Sequence, residues 1–85
     1  MPVLCRFFGI IIKMYFQQSE HNPPHIHAQY GENTAAIAIL SGDVLEGSLP
    51  PKELAMVREW ADLHKDALLK MWETQEFSPL PPLRK

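Results

Sequence analysis

Residues 25–40 read HIHAQYGENTAAIAIL. Ile26, Ala28 and Tyr30 alternate with His25, His27 and Gln29, a period of two that suits a strand with one buried face. Pro24, just ahead of it, cannot continue a helix. Gly31-Glu32-Asn33 supplies turn chemistry, and Thr34 to Leu40 follows as a second strand with Ala35, Ile37 and Ile39 on one side. The stretch is therefore a β-hairpin, and its neighbours extend it into a sheet.

On the N-terminal side, Val3 to Phe16 is rich in β-branched and aromatic residues with Gly9 in its middle. This predicts two strands, about 3–8 and 10–16, joined by a tight turn or bulge at the glycine. On the C-terminal side, Ser41-Gly42-Asp43 turns the chain into a short strand over Val44 to Gly47. The pattern is an antiparallel meander of four or five strands. Pro50-Pro51 then opens a helix, with Glu53 near its positive end. Leu54, Val57, Ala61, His64, Leu68 and Met71 repeat at helical spacing, flanked by Trp60 and Trp72, so one long helix is expected over 51–73, packed on one face of the sheet. The fold class is α+β. Residues 1–76 form the expected single domain, and 77–85, with three of the eight prolines, an extended or mobile tail.

Composition narrows the function classes. The formal net charge is −2 and the eight Lys and Arg are scattered, so nucleic-acid binding has no support from charge. The apolar run Phe7-Phe8-Gly9-Ile10-Ile11-Ile12 is too short to span a bilayer and stops at Lys13, and no secretory signal is readable. Cys5 is the only cysteine, which excludes an intrachain disulfide and a cysteine-based zinc site. A cytoplasmic protein is expected. At 85 residues a single core is only marginally stabilising, which favours self-association or a partner.

Three of the four histidines fall within Glu20-His21-Asn22-Pro23-Pro24-His25-Ile26-His27. His25 and His27, two apart on a strand, share a face, and the stiff Pro23-Pro24 lowers the entropy cost of holding His21 near them. Three imidazoles with an open position suit zinc or a similar divalent transition metal, with Glu20 or Glu46 as an added carboxylate ligand or base. The apolar strand 34–40 offers no carboxylate beside them, and no helical i, i+4 pair accompanies them. A metal-free reading makes His25, His27 and Tyr30 the groups of an acid–base RNA-cleaving site. The plainer reading is a polar strand face that meets the backbone or a partner. His64 falls on the helix stripe as a partly buried histidine, or as a fourth imidazole brought toward the cluster. Trp60 and Trp72 are packing residues or interface anchors, and Cys5 is a core thiol. The strand 34–40 would invite pairing with another chain if it stood at an edge.

Arg6-Phe7, Gly9, the Glu20-to-His27 string, Tyr30-Gly31, Gly42-Asp43-Val44-Leu45-Glu46-Gly47-x-Leu49-Pro50 and Val57-Arg58-Glu59-Trp60 together resemble a bacterial family of small proteins known as domain of unknown function 4160. The resemblance covers about residues 4–73. It carries no established activity, but implies a small interaction module encoded beside another short gene, as one half of a paired, toxin–antitoxin-like cassette. A histidine-based metalloprotein or nuclease-type enzyme using His21, His25 and His27 is the alternative.

Overall fold

The computed structural model describes residues 3–14 and 23–83. Five strands form one antiparallel sheet in sequence order: β1 (Val3–Phe7), β2 (Ile10–Lys13), β3 (His25–Tyr30), β4 (Asn33–Ala38) and β5 (Val44–Gly47). The helices α1 (Pro51–Leu63) and α2 (Lys65–Thr74) follow. Tyr15 and Phe16, expected in the second strand, lie outside the described residues.

Local chemistry accounts for the turns. Phe8 and Gly9 both take positive φ (48° and 81°), as a two-residue hairpin turn matched to strand twist requires. Tyr30 pairs directly with Asn33 across Gly31-Glu32, and Gly31 takes the positive φ (60°) demanded at the first position of the other favoured two-residue turn. At the sheet–helix junction Pro50 is extended (φ −56°, ψ 148°) and Pro51 begins α1, where its missing N–H costs nothing.

Alternation along the strands builds the core. Ile10, Ile12, Ile26, Ala28, Ala35 and Ile37 are buried on one sheet face, beneath Val57, Trp60, Ala61, Leu68, Met71 and Trp72 of the helices. The single long helix expected from the sequence is corrected to two. His64 leaves helical geometry (φ −111°, ψ 21°), its N–H reaches the carbonyls of Trp60 and Asp62, and its ring lies 5.0 Å from that of Trp60. The break consumes one residue and keeps the helical phase, because the Leu68 N–H still donates to the His64 carbonyl at 2.9 Å. The apolar stripe therefore runs on across it.

Residues 77–83 contain no helix or strand and lie along the body of the domain. Leu80 N–H donates to the Leu4 carbonyl of β1 at 2.9 Å, and the Trp60 indole N–H donates to the Pro81 carbonyl at 2.8 Å. Leu83 is buried in the core, and Phe77 and Leu80 pack against it. Since Trp60 is fully buried, its indole needs an acceptor, and the tail supplies one. The strand 34–40 does not stand at an edge: its β4 portion is paired on both sides, with β3 and with β5.

Candidate functional site

The sheet face away from the buried isoleucines carries the polar side chains, and pairing register arranges them in rows. Lys13 pairs with His27, His27 with Ala36, and Ala36 with Glu46, so these four residues form one line across β2, β3, β4 and β5. In the neighbouring row Ile11 pairs with Gln29 and Gln29 with Thr34, and on the other side His25 pairs with Ala38. Because Ala36 places only a methyl group between two longer side chains, the line has a gap. That gap is a hollow of ≈ 300 Å³ lined by Lys13, His27, Gln29, Thr34, Ala36 and Glu46, among others.

The hollow carries charges of both signs. Lys13 donates to the Gln29 side-chain oxygen at 3.3 Å, which draws its ammonium along the face. Glu46 and Thr34 are exposed on the far rim. His27 is held neutral, its pKa pushed down from 6.5 to about 4, first by burial and then by the charges of His25 and Lys13.

His25 and His27 are brought together as alternation requires, their ring centroids 5.0 Å apart and inclined by 38°. The Nδ1 of His25 lies 2.9 Å from the Pro23 carbonyl oxygen. A carbonyl only accepts, so Nδ1 carries a proton, and in the neutral tautomer of the ring the lone pair falls on Nε2. On its other side the His25 ring meets Trp72 of α2 at 4.9 Å. Trp72 is therefore a site-building residue that strand alternation could not reveal, since the contact spans 47 residues.

The remaining candidates separate from this pair. Tyr30 belongs to the opposite face, where it packs against the core beside Gly9. His64 rests on Trp60. Glu46 shares the face of His27, but Ala36 stands between them. His21 and Glu20 lie outside the described residues, and among the described residues no group of three His, Cys, Asp or Glu side chains could hold a metal ion. Cys5 is buried, and that burial pushes its thiol pKa up, as expected of an unreactive core thiol. Among the described residues no helix is long and apolar enough to cross a membrane.

Comparison with known proteins agrees with the motifs. The family model described as Domain of unknown function (DUF4160) matches residues 9–73, and the chain belongs to that family. No curated protein and no solved structure matches it.

Proposed function

We propose that the protein is a small cytoplasmic interaction module, one half of a paired cassette, that meets a cognate small protein through its histidine-bearing sheet face. The observation that carries this reading is the hollow over Ala36, where Lys13, His27, Gln29, Thr34 and Glu46 converge. Concave sites with a few convergent polar groups and a perturbed titratable residue are where recognition concentrates.

The sheet edges offer less. β1 is irregular between Val3 and Cys5, and its Leu4 carbonyl accepts from the tail. β5 is four residues long, sits opposite a register shift between Ala36 and Ile37, and ends at Gly47. Short, bulged and covered edges resist strand addition. The double variant Lys13→Glu, Glu46→Lys should keep the wild-type melting temperature and lose the partner on co-purification from the source cell. Retention of the partner by this variant would refute the reading.

A second reading rests on the His25–His27 pair. Two imidazoles on one tetrahedral ion would have ring centres roughly 5 Å apart, given metal–nitrogen distances of about 2.1 Å, and the pair meets that spacing. With His21 as a third ligand, the set would form a metalloprotein or nuclease-type centre. Zinc should then raise the melting temperature of untagged protein, and His25→Ala and His27→Ala should each abolish the rise. No rise at zinc excess would remove this reading.

A further inference from the structure

We infer that the hollow over Ala36 receives a small zwitterion, a molecule carrying one carboxylate and one ammonium a few ångströms apart, such as a dipeptide. The inference rests on the reading of this hollow as the binding surface, and adds the chemistry of what enters it.

The cross-sheet row sets the polarity. Lys13 and Glu46 occupy its two ends, three strand spacings or about 14 Å apart at their Cα atoms, with His27 and Ala36 between them. Both residues line the hollow, so a ligand lying along the row meets a positive group at one end and a negative group at the other. The Lys13–Gln29 hydrogen bond fixes where the ammonium stands. Gln29 in turn donates to the Gly31 carbonyl at 3.4 Å, so its side-chain oxygen faces Lys13 rather than the turn.

A ligand with only negative groups would meet Lys13 but place charge against Glu46. One with only positive groups would meet Glu46 and oppose Lys13. A zwitterion lying along the row satisfies both ends, with the Thr34 hydroxyl at the rim and the neutral His27 ring in the lining. The volume of ≈ 300 Å³ suits a molecule of dipeptide size and is at the small end for ligand sites. Ala36 makes this room, and a larger side chain there would fill it.

The test is titration of isotope-labelled protein with glycylglycine, succinate and 1,4-diaminobutane, following the backbone amides of His27, Ala36 and Glu46. Glycylglycine should shift these signals, with the two single-sign compounds at least tenfold weaker. Lys13→Met and Glu46→Gln should each weaken glycylglycine about tenfold while leaving the spectrum otherwise folded. Ala36→Leu should abolish binding, and the two surface variants keep the test decisive if that one fails to fold. Equal binding of succinate or the diamine would overturn the zwitterion assignment while leaving the hollow as a binding surface. Silence at these amides with all three compounds would overturn the zwitterion assignment, and the partner-loss experiment on the charge-reversed variant would separately decide the surface.

Discussion

The ring of His25 lies 4.9 Å from the indole of Trp72, inclined to it by 56°. This contact ties the first residue of β3 to the last helix, so the histidine face depends on a residue that otherwise belongs to the core. Trp72→Ala should lower stability by about 3–5 kcal/mol through the cavity it leaves, and also shift the ring resonances of His25. Thermal melting and proton NMR of the imidazoles check the two parts. An unchanged His25 ring signal would mean that the contact does not hold the site.

The depressed pKa of His27 makes a pH prediction with a definite sign. In the unfolded chain this imidazole takes up a proton near its ordinary 6.5, and in the folded protein only near 4. Between those values the unfolded state holds more protons, so stability falls as pH drops from about 6.5 to about 4 and levels off below. The full shift corresponds to about 3 kcal/mol, reduced to about 1–2 kcal/mol by solvent screening at a partly exposed ring. Chemical denaturation across this range should show the extra loss in the wild type and not in His27→Gln. Parallel curves for the two proteins would contradict the shift.

The two helices divide buried from solvated positions. Leu68→Ala should cost about 2–4 kcal/mol, because Leu68 is fully buried between sheet and helix. Lys70→Ala should fall within about 0.5 kcal/mol, since Lys70 is exposed. Equal melting temperatures for the two variants would contradict the assignment of the packed face.

Turn chemistry yields a pair of opposite effects. Phe8 sits at φ 48° and is 51% exposed, its ring meeting Phe7 edge-on at 6.3 Å, so only part of the side chain is buried against the cost of the left-handed conformation. Phe8→Asn should stabilise by about 0.5–1 kcal/mol. Gly47 stands at φ 76°, and a Cβ there would collide with the Thr34 carbonyl oxygen and lie 3.1 Å from the Ala35 Cα. Gly47→Ala should therefore destabilise by about 2–4 kcal/mol. Differential scanning calorimetry of the two variants reads both signs.

Which parts of this architecture could be read from the chain depends on the range of the interaction involved. The strand His25–Tyr30 was legible to the residue because its alternation and Pro24 are local signals. The same alternation placed His25 and His27 on one face and Tyr30 on the other, which is why an acid–base set of all three does not assemble on one side of the sheet. The break at His64 left no trace in the apolar stripe, since one unwound residue preserves its phase and neither proline nor glycine marks it. The Trp72–His25 contact and the docking of Pro81 on Trp60 join residues remote in sequence, and no periodicity encodes them. The hollow itself is a register effect: TAAIAIL showed Ala36 as one small residue among several, and only pairing placed it between His27 and Glu46.

The central claim is that the histidine-bearing face is where this protein meets its partner. Its most direct test is site-specific photocrosslinking in the source cell, with a benzophenone side chain placed at the exposed position of Thr34 on the rim of the hollow, or at exposed Lys52 on α1. The account predicts a discrete crosslinked species from position 34, lost on adding Lys13→Glu and Glu46→Lys, and none from position 52. Crosslinking from position 52 with silence at position 34 would contradict it.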